Sequence, residues 1–340
     1  MSGVSGRVSV VAGVVLVLAA VASVRAEVVD NYATADAVFL QRDNQAANQT
    51  LAANQTTDVP LISAGQLQFP TQPGVRLFYG NVDDCGFGWE AGYLGVWNMF
   101  SSRQVSGADD IRAGDPLALL VDDFQDRSLA RATYASTLNS AELNIFTRWD
   151  DGGFSRSARY PWQRGSAYHR GTFDWLAGFR WAGLEESAAV TFNGVPTPGP
   201  GSYSLRSSNN LFGMQLGGRG RLEWDRWALE GWAKAALAGN AMAQSQDPIL
   251  EAIAPDAPVR SARSSSEGGV GFIGDINATL VYKLTDGWAV RAGYNLIWLS
   301  GVALAPNQFD FGDQSTAGNA VNGGAGLFLH GANLGLEARW

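Results

Sequence analysis

The chain has 340 residues, a formal charge of −8 and only 16% charged residues, with 41 glycines and 12 tryptophans. Ordinary soluble domains carry roughly 25% charged residues, and phosphate binding needs a concentrated basic surface, so this acidic chain without a Lys/Arg run is no nucleic-acid binder. Cys85 is the single cysteine, which excludes an internal disulfide and leaves stability to hydrogen bonding and packing.

At the N-terminus Arg7 precedes an apolar run from Val8 to Ala22, and Val24-Arg25-Ala26 sets medium or small residues before Glu27. The pattern predicts a secretory signal peptide over 1–26, cleaved on export. The run falls short of the roughly 20 apolar residues of a membrane helix. Nothing later is long and apolar enough for one, so any membrane association must use strands. Residues 27–86 read as a flexible N-terminal segment on the periplasmic side. They are polar, Gln/Asn-rich and contain a direct repeat, Ala46-Ala47-Asn48-Gln49-Thr50 and Ala52-Ala53-Asn54-Gln55-Thr56. Val75 to Gly80 is a weak strand candidate within them.

From Phe87 onward a two-residue period recurs. Phe87, Trp89, Ala91, Tyr93 and Trp97 oppose Glu90 and Asn98; Ala141, Leu143 and Ile145 oppose Glu142, Asn144 and Arg148. Phe173, Trp175, Phe179 and Trp181 oppose Asp174 and Arg180, and Phe212, Met214, Leu216 and Trp224 oppose Arg219, Arg221 and Glu223. Trp227, Leu229, Ala233 and Leu237 face away from Glu230 and Lys234, with Trp232 as an exception on the polar side. Phe272, Ile276, Leu280 and Tyr282 oppose Asp275 and Lys283; Trp288, Val290, Tyr294 and Trp298 oppose Arg291. The terminal stretch Gly326 to Trp340 sets Ala332, Leu334, Leu336 and Ala338 against Asn333, Glu337 and Arg339.

Strands with lipid on one side and water on the other have this pattern. It predicts an all-β, antiparallel, up-and-down transmembrane β-barrel over 87–340 with eight strands. A ten-stranded alternative would draw on residues 30 to 80. Connection lengths agree with the barrel, because such proteins have short turns on one side and long loops on the other. The turns at 225–226 and 285–287 are tight, whereas 99–137, 185–208, 239–267 and 303–325 are long; the segment from Asp150 to Gly171 is too long for its side. A secreted β-sandwich also alternates, but it would bury its tryptophans. Here Trp89, Trp97, Trp175, Trp181, Trp224, Trp227, Trp288, Trp298 and Trp340 sit near strand ends, as two interfacial girdles require.

The inward set is Glu90, Glu142, Arg148, Asp174, Arg180, Arg219, Arg221, Glu223, Glu230, Lys234, Asp275, Lys283, Arg291, Glu337 and Arg339. Seven acidic and eight basic groups in a narrow tube pair with one another, and eight strands leave just enough room for side chains. A narrow or plugged lumen follows, with a structural or surface-interaction role. Passive diffusion of small solutes is the alternative, and would need the wider barrel.

Several stretches resemble the outer-membrane β-barrel porin family numbered seven in its series. They are Gly86 to Tyr93, Asn139 to Asn144, Trp175 to Trp181, Asn210 to Gly217, Arg291 to Asn295 with Gly301 to Pro306, and Leu327 to Ala332. The resemblance covers roughly 84–340 and implies a bacterial outer-membrane location and a barrel fold, with membrane lipid as surroundings. Resemblance to outer-membrane barrels generally implies that Leu334, Leu336 and Trp340 form the signal read by the barrel-assembly machinery.

No catalytic, metal or cofactor site emerges. His169 and His330 fall on different elements, and a lipid-modifying hydrolase would need a histidine beside a nucleophile and an orienting group. The acidic pairs Asp83-Asp84, Asp109-Asp110, Asp122-Asp123 and Asp150-Asp151 lack the spacing of a metal loop. The clusters at Gly217 to Gly220 and Gly268 to Gly271 lack the Lys-Ser/Thr that completes a phosphate loop.

Overall fold

The computed structural model describes residues 30–150, 170–194, 199–250 and 258–340. The expected signal peptide, His169, Asp151 and most of the long turn after Asp150 lie outside them. The strands are β1 (Asp30–Asp43), β2 (Thr50–Asn54), β3 (Pro60–Ser63), β4 (Gln72–Val82), β5 (Phe87–Ala113), β6 (Arg127–Asp150), β7 (Arg170–Asn193), β8 (Gly201–Trp224), β9 (Trp227–Gln246), β10 (Arg263–Lys283), β11 (Trp288–Val302) and β12 (Ala325–Arg339). All except β2 and β3 form a closed antiparallel ring of ten. The ring is sealed where β1 pairs with β12 in continuous register from Tyr32↔Arg339 to Asp43↔Phe328. Asn31 and Trp340 exchange backbone hydrogen bonds of 2.9 and 3.1 Å just beyond it.

The expectation of eight strands is therefore corrected to ten. The added pair is β1 and β4, both inside the 27–86 segment expected to be flexible. Their alternation is weak in sequence for a physical reason. The outward positions of β1 are mostly small (Ala33, Ala35, Ala37), while Val38 and Leu40 are apolar on the inward side. The Gln/Asn-rich repeat lies between the two strands and forms β2 with its flanking turns.

Strand length divides the wall. A membrane crossing takes about 9–11 residues. Strands β1, β4, β11 and β12 have 14, 11, 15 and 15 residues, whereas β5 to β10 have 27, 24, 24, 24, 20 and 21. The expected long loops at 99–137 and 185–208 are mostly strand. The longer strands continue past the membrane as a curved wall. Register shifts interrupt the pairing of β5 with β6 between Val96 and Met99, where Asn98 has φ 57°, and between Ser106 and Ile111, where Asp109 has φ 53°; a third lies after Ser300 of β11, where Gly301 has φ 71°.

The concave face of the tall wall is apolar and covered. Tyr134 of β6, Val190 and Phe192 of β7, and Tyr203 and Leu205 of β8 share one core with Leu51, Ile62, Leu67 and Phe69 from 44–71, and with Leu304, Phe309 and Phe311 from 303–324. Fully burying such a side chain contributes about 1.5–3 kcal/mol. The hairpin β2–β3 is anchored further by pairing Ala52 with Ala113 of β5. The covering segments and the wall therefore pack as one body.

Candidate functional site: the lumen

Alternation on each strand sends one parity outward and the other into the ring. At membrane level the inward parity carries the charges predicted from sequence. Asp174 accepts from Arg148 at 3.1 Å and from Arg219 at 2.7 Å, and Arg219 reaches Glu90 at 2.6 Å. Lys234 donates to Glu90 at 3.0 Å and to Glu142 at 3.1 Å. Gln215 donates to Glu142 at 2.5 Å and accepts from Arg180 at 3.3 Å. Arg180 in turn reaches Asp275 at 3.1 Å. These contacts cross the lumen between β5, β6, β7, β8, β9 and β10.

A second network joins β8, β9, β11 and β12. Arg291 binds Glu230 at 3.1 Å and Glu337 at 2.8 Å; Arg221 binds the same two carboxylates at 2.9 and 3.0 Å. Toward the turn end, Glu223 joins Arg221 to Lys283, and Arg339 caps Glu337. Every one of the fifteen predicted lumen residues lies in one of these two networks, with Glu223, Lys283 and Arg339 at the mouth and partly open.

Sequence reasoning missed two charged members because both sit on strands left out of the predicted barrel. Arg76 of β4 binds Asp275 at 2.9 Å and Asn295 at 2.6 Å, and Asp36 of β1 lies 3.5 Å from Arg291. The signal was present as alternation of Arg76 with Val75 and Leu77, too short to stand alone. Trp232, the exception noted on β9, points inward. Its indole packs edge-on to Phe78 at 5.6 Å and donates to Asp275 at 3.2 Å.

Little space remains. The opening among Tyr32, Glu90, Asp174, Arg219, Lys234 and Glu337 has about 30 Å³, the room of a water molecule or so. A side chain at Gly92 would collide with Phe78 and Glu142, so the packing there demands glycine. Taking so many charges out of water is costly unless each is paired and hydrogen-bonded; the networks meet that condition except at Asp36, whose carboxylate faces Arg291 at 3.5 Å without a hydrogen bond.

The outward parity is apolar over the same span. Leu143, Ile145, Trp175, Phe179, Phe212, Met214, Leu216, Leu229, Val270, Leu334 and Leu336 are all exposed. Trp89, Trp175, Trp224, Trp227, Trp288 and Trp340 lie toward the turn end, where Tyr79 bridges Trp89 and Trp340 at 5.5 and 6.3 Å. Trp97, Trp181 and Trp298 lie at the opposite edge; Trp97 and Trp181 donate to Asn139 and Asn210.

The other candidate groups are dispersed. Asp83 accepts from the backbone of Cys85 and Phe87 at 2.9 Å in the β4–β5 turn, Asp110 accepts from Asn54, and Asp123 pairs with Arg127. Among the described residues no three His, Cys, Asp or Glu side chains converge on a metal position. Gly217 and Gly218 lie inside β8, and Gly268 to Gly271 inside β10. His330 faces outward beside Tyr294, away from the lumen.

A closed antiparallel ring with an apolar exterior, aromatic edges and a polar, paired interior defines a transmembrane β-barrel of the outer-membrane type. Residues 37–340 match the family described as "Putative beta barrel porin-7 (BBP7)", and the chain belongs to that family. No curated protein matches it. Similar solved structures include the outer membrane protease OmpT from Escherichia coli, 10% identical over 92% of this chain and 96% of that chain, with a TM-score of 0.48. They also include a mutant of the monoaromatic hydrocarbon channel TodX (9% identity, 93% and 90% coverage, TM-score 0.24) and a FadL homologue of Pseudomonas aeruginosa (8%, 92% and 89%, 0.17).

Proposed function

We propose that this outer-membrane barrel is closed to solutes and serves as a structural or surface-interaction protein, with the wall above the membrane as its working part. The observation that carries the reading is double closure of the lumen. Two ion-pair networks fill it at membrane level, and the segments 44–71 and 303–324 pack an apolar core into it above. A water-filled pore needs a continuous polar path, and an apolar core interrupts one.

Passive diffusion of small solutes is the second reading. The family's description and the ten-stranded ring favour it, and it requires the covering segments to leave the wall. Purified protein in a planar bilayer separates the two. The closed reading expects no stable single-channel steps; regular steps from the intact chain would overturn it. We assign no catalytic role. Hydrolysis of outer-membrane lipid by purified protein, abolished by His330→Ala together with His169→Ala, would reverse that assignment.

A further inference from the structure

His330 is out of place. It lies on the lipid-facing parity of β12, between Phe328 and Ala332, at the level of the edge marked by Trp298. Short turns mark the periplasmic side, so this edge borders the outer leaflet. The neighbouring strands bring further polar groups to the same spot. Gln41 of β1 is the register partner of His330, and Asp43 is the partner of Phe328; both face outward. On β11, Tyr294 lies 2.7 Å from the imidazole Nδ1 through its hydroxyl. Phe328 stacks on the ring at 5.6 Å and 29°.

The Tyr294 hydroxyl holds Nδ1 and leaves Nε2 free toward Asp43. In the tautomer in which the hydroxyl donates to Nδ1, the ring carries its hydrogen on Nε2, and Nε2–H is the free donor. Asp43 Oδ1 lies 3.9 Å from Nε2, beyond a hydrogen bond. In that tautomer the gap has a donor on one side and an acceptor on the other, with Gln41 at the paired position of β1 and Phe328 stacked beside the imidazole. A hydroxyl group satisfies both sides at once, accepting from Nε2–H and donating to the carboxylate, while the C–H face of a sugar ring packs on Phe328. A phosphate meets Asp43 with like charge, and a bare ammonium meets the Nε2–H.

We propose that the notch formed by His330, Asp43, Gln41, Tyr294 and Phe328 binds the sugar head group of an outer-leaflet glycolipid. The apolar belt directly below, including Phe39 and Leu334, receives the acyl chains. Lipid is then a specific ligand on the β11–β12–β1 side, not only a solvent. The proposal needs neither a conducting nor a closed lumen.

The test compares the purified full chain in nanodiscs of phospholipid alone with nanodiscs doped with a neutral, sugar-headed lipid of the same chains. Bound lipid is read by native mass spectrometry after release. Expected is selective retention of the sugar-headed lipid by the native chain, with a loss of roughly tenfold in apparent affinity for Asp43→Ala combined with His330→Phe. Tyr294→Phe frees the imidazole and weakens retention less. Heat-modifiable migration on a denaturing gel shows that each variant is a folded barrel. Equal retention of both lipids, preferential retention of the phospholipid, or undiminished glycolipid binding by the double variant overturns the proposal.

Discussion

Along β7, Phe173, Trp175, Phe179 and Trp181 point outward in the lower half while Asp174 and Arg180 point in; higher up, Ala188, Val190 and Phe192 point in while Glu185, Ser187 and Thr191 point out. Strands β6 and β8 repeat the change, with outward Leu143 and Leu216 below but Arg131 and Arg206 above. A single backbone alternation thus serves two solvents. The lower half follows the rule of a membrane barrel, apolar outside and polar inside; the upper half follows that of a soluble sheet with one buried face. The boundary is set by which parity carries the apolar residues.

The sharpest way to break the comparison is to unpair the charge buried in the upper half. Arg42 binds Glu186 at 2.6 Å, both fully buried, and Glu186 also accepts from Tyr134 and from the backbone N–H of Ala305 in the covering segment. Glu186→Ala is expected to cost about 3–5 kcal/mol, measured by urea unfolding of refolded protein, with Arg42→Met on top recovering part of the loss. A charge on the lower exterior comes next. Leu216→Arg should cost about 2–4 kcal/mol in lipid vesicles. The seam ranks third: deleting Trp340 removes its two hydrogen bonds to Asn31, about 0.5–1.5 kcal/mol each, and should lower the outer-membrane yield, read by surface labelling. Smallest is the counterpart of Leu216 on the upper exterior. Ser208→Arg is expected to stay within about 0.5 kcal/mol, and a penalty like that of Leu216→Arg would place lipid at both levels.

The same inversion explains what could be read from sequence. The lower halves of β5 to β12 were legible because large aromatic and aliphatic residues alternate there with charges; the fifteen charged positions named from that parity all take part in ion pairs. The upper halves looked like loops. Their outward Ser, Thr and Gly beside inward Ala, Val and Tyr gave no lipid signature, and Ser202-Tyr203-Ser204 reads as easily as a turn. Strand β1 was hidden by small outward alanines. The networks themselves needed coordinates, since Arg76 and Asp275 are 199 positions apart.

The pairing of β1 with β12 also sets an order of events. Until Ala325–Arg339 has been delivered, the growing sheet keeps two open edges, and β1 offers its unpaired N–H and C=O groups to any strand that passes. The final contact joins Asn31 to Trp340 across nearly the whole chain, so closure is the slowest kind of contact to make by chance. The segment that fills the upper core leaves directly from the end of β1. First strand and cover thus wait together for the last strand, and the ring shuts with its contents already tethered inside.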